Sequence, residues 1–557
     1  MVSTEPKVSR ERLAQAQNQA PPLVDYNLFS DDKALAEGVD REGASWAVER
    51  LTAFGRLIAT EEVLQWGVQA NQYPPVLQTH DRWGHRIDEV EFHPAWHELM
   101  RIAVENQVHN LPWSESRPGA HVARAALLML SAQNEAGHGC PISMTYAAVP
   151  ALRKMQPELY EQWLPLILSK SYDRRFRPIS QKSGALIGMG MTEKQGGSDV
   201  RANITVAVPV EHSGPGNEYR VTGHKWFCSA PMNDAFLVLA QAAGGLSCFF
   251  LPRWTADGIR NKFYIQRLKN KLGNRSNASS EVEFDGATAW LIGEEGRGVP
   301  TIIEMVNHTR LDCTISSSAL MRQALVQALH HARHRSAFGR KLREQPLMQN
   351  VLADLAIESE AATTLTMRLA RAYDAAESDI DEDIFRRIAT AVAKYWVCKR
   401  TPSHVVECLE CLGGNGYVED SIMPRLFRES PLNSIWEGSG NVICLDVLRA
   451  MRNEPKSIEA LVAEIDLAQG SNRALDAAAQ KLKDRLSSQS LNEAEARRLV
   501  ERMALTLQGS LLVRNAPNAV AEAFCASRLG GDWGQAFGTL SNADTAFILN
   551  RAAVASL

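Results

Sequence analysis

Along most of this chain apolar residues recur three and four positions apart, the spacing that lines one face of a helix. The pattern predicts helices over residues 44–69, 94–108 and 120–136, each bounded by capping or helix-breaking residues. From about Ile187 it gives way to short β-branched and aromatic runs at 204–209, 218–222, 235–241, 247–252 and 281–284, separated by Gly, Pro and Asn. After Gly293-Glu-Glu-Gly296 helical spacing returns over 300–334, 346–376 and 383–398. This order predicts an α+β, mainly helical fold: an N-terminal helical domain (43–187), a β domain (188–292) and a C-terminal helical bundle (293–452). Residues 1–42, polar and broken at Pro21-Pro22, read as an arm laid over the rest. Residues 453–557 keep helical periodicity, interrupted at Gly470-Ser471 and at 515–517, and read as an appended helical domain.

A chain of 557 residues exceeds one comfortable core, and 45% apolar with 22% charged residues is the balance of a folded protein. The net charge of −4 supplies no general basic field, so any nucleic-acid contact must come from a local patch. Nine scattered cysteines and a start without an apolar core point to the reducing cytoplasm. No apolar run approaches the twenty or so residues that span a bilayer.

Four segments carry candidate chemistry. Gly188-Met-Gly-Met-Thr-Glu-Lys-Gln-Gly-Gly-Ser-Asp199 offers free N–H groups and a hydroxyl suited to a ligand anion, or forms an ordinary interdomain turn. It is not a dinucleotide fingerprint, since Glu193 stands where a glycine is required. Trp226 and Phe227, in Thr222-Gly-His-Lys-Trp-Phe-Cys-Ser-Ala230, suit stacking on a flat ring with Ser229 as hydrogen-bond partner, although a sheet-core aromatic pair fits equally. Leu412-Gly-Gly-Asn-Gly-Tyr417 is the third. In the fourth, Asn433-Ser-Ile-Trp-Glu-Gly-Ser-Gly-Asn441, Glu437 lies among apolar and small residues, where desolvation makes a carboxylate a better base; the alternative is a helix cap.

Taken in order with Lys271-Leu-Gly273 and Phe338-Gly339, these segments resemble the acyl-CoA dehydrogenase superfamily over about residues 44–450, most nearly its alkylation-response branch. The resemblance implies that superfamily's fold, with a central β-barrel or sheet domain, and a homotetramer holding FAD between subunits. Met191, Thr192 and Ser198 would meet the flavin and its diphosphate, with Trp226, Phe227 and Ser229 beside the ring. Arg335, Phe338 and the loop with Gly413 and Gly414 would reach a neighbouring subunit's cofactor. Ile435, Trp436 and Gly438, which flank Glu437, would also meet the cofactor, and Ser439 and Asn441 would contact the adenosine side. Glu437 matches the catalytic carboxylate that takes the α-proton of an acyl-CoA while the flavin accepts the β-hydride.

Glu410 departs from the family, which often has Gln there. Cys408-x-x-Cys411 and the pair His330 and His334 lack further ligands, and core packing is expected in place of a metal site. The branch further implies contact with double-stranded DNA through the appended domain, with Arg449 and Arg528 as candidates; the domain's net charge is near zero, although Lys481, Lys483, Arg485, Arg497, Arg498 and Arg502 lie close in sequence. Two functions follow. One is a DNA-associated flavoprotein of the alkylation response with slow acyl-CoA oxidation. The other is a metabolic acyl-CoA dehydrogenase whose extra domain builds the oligomer. A module holding FAD without chemistry is a third.

Overall fold

The computed structural model describes residues 18–488 and 492–554; the first seventeen residues of the expected arm lie outside it. Helices α1 (Lys33–Arg41), α2 (Val48–Ile58), α3 (Glu61–Gln72), α4 (Pro94–Glu105), α5 (Leu111–Ser114), α6 (Ala120–Asn134), α7 (Gly139–Leu152) and α8 (Pro157–Ile167) form the first layer. Asp32 and Thr60 cap α1 and α3 by accepting backbone N–H bonds. The region expected to be helical throughout contains a hairpin, β1 (Val76–His80) and β2 (Arg86–Glu91).

Every residue of α6 is buried, as the Ala-Leu-rich, all-round apolar sequence demands. Its exposed-looking Arg124 is paired inside with Asp312. Its first N–H groups are capped from across the core: Asp374 accepts from the backbone of His121 at 2.7 Å and Val122 at 3.1 Å. Burial pushes that carboxyl up to about 7.

The β domain comprises β3 (Ile187–Gly190), β4 (Val206–Pro209), β5 (Glu218–Ser229), β6 (Ala235–Ala242), β7 (Gly245–Pro252), β8 (Phe263–Leu268) and β9 (Ser279–Ile292). Pairings β4–β5, β5–β9, β9–β7, β7–β6 and β6–β4 close a ring, with β3 parallel to β6 and β8 on β9. β3 and β8 carry too few alternating residues to announce themselves.

The bundle follows: α9 (Gly298–His334), α10 (Pro346–Ala375), α11 (Ile380–Cys411), α12 (Gly414–Tyr417), α13 (Met423–Glu429) and α14 (Gly440–Asn453). Beyond it run α15 (Pro455–Asp466), α16 (Arg473–Leu486), α17 (Ala496–Asn515), α18 (Asn518–Phe524) and α19 (Thr545–Ala552). These last helices share one apolar core with the bundle, Leu461, Leu499, Met503, Leu507, Phe524 and Ile548 joining residues of α9 to α11. α19 returns to the start of the chain, where Arg551 pairs with Glu37 and Glu360. The C-terminal extension is thus built into the bundle. All nine cysteines are buried and free, Cys408 and Cys411 among them. Among the described residues no helix is long and apolar enough to cross a membrane, and no cluster could hold a metal ion.

Candidate active site

Glu437 stands between the turn Leu432–Ser434 and α14 with φ of 58°, and Gly438 follows at 106°. A side chain in the left-handed region costs about 1–2 kcal/mol, so the surroundings must impose it. Arg310 Nε donates to the carbonyl of Glu437 at 3.0 Å, and Lys394 Nζ donates to the carbonyls of Trp436, at 2.9 Å, and Gly438. Arg310 is itself fixed by Asp446 at 2.8 Å, which Arg387 also holds at 3.2 Å. The Thr309 hydroxyl donates to Oε2 of Glu437 at 2.8 Å. Burial raises the carboxyl above its ordinary pKa, while the Thr309 bond and the Lys394 and Arg310 charges partly draw it back.

Thr309, Arg310 and Lys394 were absent from the sequence expectations. Their signal is charged or polar residues at core-facing positions, Thr309 and Arg310 in α9 and Lys394 within the buried run 388–398 of α11. A cavity of about 520 Å3 opens beside this network, lined in part by Asn307, Tyr373, Arg386, Arg387 and Lys456.

The Met191–Asp199 segment folds back on itself, with Glu193 bridging to Gly196 and Gly197 pressed against the Thr192 side chain. Glu193 does not face a ligand: it pairs at 2.7 Å with Lys225, both side chains fully buried, and accepts from the backbone of Ile204 at 2.7 Å. Breaking a buried pair costs about 3–5 kcal/mol, so these two motif residues act as the lock that joins the turn to β5. The same joint places Trp226, whose N–H donates to the carbonyl of Thr192 at 2.8 Å.

Strand β5 shifts register between Lys225 and Cys228, which turns Trp226 and Phe227 out of the ladder, with Lys269 Nζ 3.9 and 4.4 Å from their ring centres. These rings are therefore not a sheet-core pair. Ser229 lies 3.5 Å from Ser279, which receives a bond from Lys271 at 3.0 Å. Burial lowers the Lys271 ammonium to about 8. Met191 and Trp436 pack on the same apolar cluster as Cys140 and Ala230, so the structure brings Met191, Thr192, Trp226, Ser229 and Glu437 into one neighbourhood.

Arg335, Phe338, Gly413 and Gly414 are not part of it. Thr309 and Arg335 stand at opposite parts of α9, separated by roughly 40 Å of helix rise. Phe338 is 100% exposed at φ 52°, and Cβ atoms on Gly413 or Gly414 would meet nothing within 4 Å. Residues of the N-terminal strap tie these loops together: Arg335 donates to the Asn18 carbonyl at 2.6 Å, and Asn415 to Gln19 at 2.9 Å. Ser198, Ile435, Ser439 and Asn441 are exposed, and Glu410 faces outward at the end of α11. An open glycine loop, hydroxyls at Thr192 and Ser229 and an outward-turned Trp226 fit a flavin with a diphosphate tail.

Arg449 is 68% exposed on α14, 3.7 Å from Asp446. The expectation for Arg528 does not hold, because its guanidinium is fully buried against Asp354 at 2.5 Å and Glu358 at 2.9 Å. A guanidinium so paired cannot reach a nucleic-acid phosphate without leaving the buried Asp354 carboxylate uncompensated, Glu358 keeping Arg400 at 3.1 Å. Lys483 and Arg485 are likewise paired, with Asp466 and Glu495.

Comparison with known proteins agrees with this layout. Residues 18–174 match the N-terminal domain of the adaptive response protein AidB, 188–287 the middle domain of acyl-CoA dehydrogenases and 296–452 their C-terminal domain. The chain is 48% identical to AidB of Escherichia coli K12 over 509 residues, 91% of this chain and 93% of that one. It is 31% identical to acyl-CoA dehydrogenase family member 11 of Caenorhabditis elegans, covering 85% and 78% of the two. The crystal structure of Caenorhabditis elegans ACDH-11 in complex with C11-CoA superposes with a TM-score of 0.83 at 29% identity, over 92% and 93% of the two chains. With the domains in family order and a carboxylate held on a strained turn beside the barrel, the chain belongs to the FAD-dependent acyl-CoA dehydrogenases, in their AidB branch.

Proposed function

We propose that this protein oxidises an acyl-CoA to its α,β-unsaturated form with Glu437 as base, as a cytoplasmic homotetramer that also associates with double-stranded DNA in the response to alkylation. The observation that carries the chemistry is Glu437: half-buried, raised in pKa and locked by Thr309, Arg310 and Lys394. Its carboxylate removes the α-proton, the α,β double bond forms from that electron pair, and the β-hydride departs. Bound FAD supplies the acceptor for that hydride. Met191, Thr192, Trp226, Phe227 and Ser229 would orient the ring, and Ser198, Ser439 and Asn441 its dinucleotide tail. The cavity beside Asn307 has the size expected of a small-molecule site and supports a path for the CoA arm. The relative crystallised with C11-CoA supports an acyl thioester as ligand.

The tetramer finds support in the spacing along α9. Arg335, Phe338, Gly413 and Gly414 stand too far from Glu437 to serve the same cofactor, and their exposure suits a neighbour's. DNA association is supported by exposed Arg449 and Arg452 on α14; Arg528 has no part in it. Anaerobic titration of the FAD-loaded protein with acyl-CoAs tests the chemistry. Bleaching of the flavin band should slow about 10²- to 10⁴-fold in Glu437→Gln, and a wide thioester panel without bleaching would end the reading. Fluorescence anisotropy with a duplex tests the second part, where binding should weaken with salt and in Arg449→Ala/Arg452→Ala. Deleting 453–557 is a poor test, since it would strip the bundle of part of its core.

A further inference from the structure

Lys182, Lys225 and Lys269, packed around the barrel, each find a carboxylate, in Asp234, Glu193 and Glu281. Lys271, two residues beyond Lys269, has none at ion-pair distance among the described residues. Its Nζ donates to neutral acceptors, the Asn277 carbonyl and, at 3.0 Å, the Ser279 hydroxyl. The carboxylates whose charge reaches it are committed elsewhere. Glu135 holds His138 at 2.8 Å and Ser276 at 2.7 Å, and Glu429 accepts from the backbone N–H of Asn274 at 2.7 Å.

The turn from Lys271 to Asn277 is wedged against the start of α7, where a Cβ on Gly137 would collide with Ser276. This close approach seats Asn277 deep: its side chain is 1% exposed, and neither Nδ2 nor Oδ1 has a hydrogen-bond partner among the described residues. A buried carboxamide with both ends unbonded is unfavourable until something supplies it with an acceptor and a donor. Burial pushes the nearby Cys140 thiol up to about 11 and Glu437 adds to the rise, while Ser229, Lys271 and Asn277 draw it back, so these groups share one recess. Ser279 links Lys271, at 3.0 Å, to Ser229, at 3.5 Å.

We infer that Asn277 and Lys271 bind the flavin ring, the carboxamide through hydrogen bonds to the ring's polar edge and the ammonium through the negative charge the ring gains on reduction. This rests on the placement of Ser229 beside the ring. The polar edge of an isoalloxazine carries carbonyl acceptors and an N–H donor, the complement of a carboxamide. When the β-hydride leaves the acyl chain, two electrons and one proton reach the ring, the α-proton stays on Glu437, and the ring keeps one more negative charge. Lys271 brings to that charge a cation that no carboxylate neutralises.

Reduction potentials of the FAD-loaded full-length protein, measured by dye equilibration at neutral pH, test this without turnover. Lys271→Met should disfavour the reduced flavin about 10-fold, a fall of about 30 mV, whereas Lys271→Arg should stay near wild type. Asn277→Asp, which gives Lys271 the carboxylate it lacks, should lower the potential likewise, and it carries the test if Lys271→Met does not fold. Asn277→Ala should weaken FAD binding about 10-fold with apo stability unchanged. A loss of apo stability in its place would make Asn277 a packing residue and overturn its assignment. If Ser229→Ala shifts the oxidised flavin spectrum while Lys271→Met and Asn277→Asp keep the wild-type potential, the inference falls and the placement of the ring stands. If none of these substitutions changes spectrum, affinity or potential, the ring lies elsewhere and the placement falls too.

Discussion

Lys394→Met tests whether the turn that carries the base is held from outside. Lys394 is 1% exposed and donates to the carbonyls of Trp436 and Gly438, so methionine keeps the volume and removes both bonds and the charge. Each buried carbonyl left without a donor costs about 1–3 kcal/mol. Glu437 would then relax from its φ of 58°, recovering about 1–2 kcal/mol of left-handed strain. The net expectation is a loss of about 1–4 kcal/mol in stability, with Arg310 still holding the middle carbonyl. The larger effect is on rate, since a shift of the base by about 1 Å costs about 10²-fold.

The sign of the pH effect is also set. The Lys394 charge lowers the Glu437 pKa, so its removal raises that pKa, and the base becomes competent only at higher pH. Flavin bleaching by an acyl-CoA in an anaerobic stopped flow, measured across pH 5 to 9 on samples of known FAD content, reads both effects. Wild-type rates across that range in a folded, FAD-replete Lys394→Met protein would refute the argument. If the variant does not fold, Thr309→Val, which loses the 2.8 Å bond to the carboxyl, should move the pH profile the same way.

Glu437→Gly should abolish bleaching yet raise the melting temperature, because glycine accepts φ of 58° without strain and no carboxyl is buried; a lower melting temperature would contradict this. Burial pushes the Glu429 carboxyl from 4.5 up to about 7, so its contribution to stability is complete below pH 4.5 and is lost as pH rises through 7. Urea unfolding at pH 5 and 8 should therefore reveal a decline of about 3 kcal/mol that Glu429→Gln removes, and equal pH dependence in the two proteins would count against it. Arg528→Ala should cost about 3–5 kcal/mol by leaving the buried Asp354 carboxylate uncompensated, while Arg400 still pairs with Glu358. Arg449→Ala should change stability by less than about 0.5 kcal/mol, and the reverse ranking in urea would invalidate the burial argument.

The order of helix, barrel and helix and the motif turns were legible because they rest on local features: periods of 3.6 and 2, and glycines where the backbone turns back. The hairpin at 76–91 and strands β3 and β8 escaped, being short segments stabilised by partners rather than by their own alternation. Arg528 and Arg449 look alike in sequence, yet one is sealed against two carboxylates and the other lies open. Glu193 and Lys225, motif residues to which the sequence assigned no ligand, form a structural lock, while Thr309, Arg310 and Lys394, unremarked in sequence, hold Glu437 and its turn. The extension, expected as an appended helical domain, shares one apolar cluster with the bundle. A side chain's charge and size are written in its own position, but whether it is buried, paired or strained depends on residues tens to hundreds of positions away, and only the folded chain brings those together.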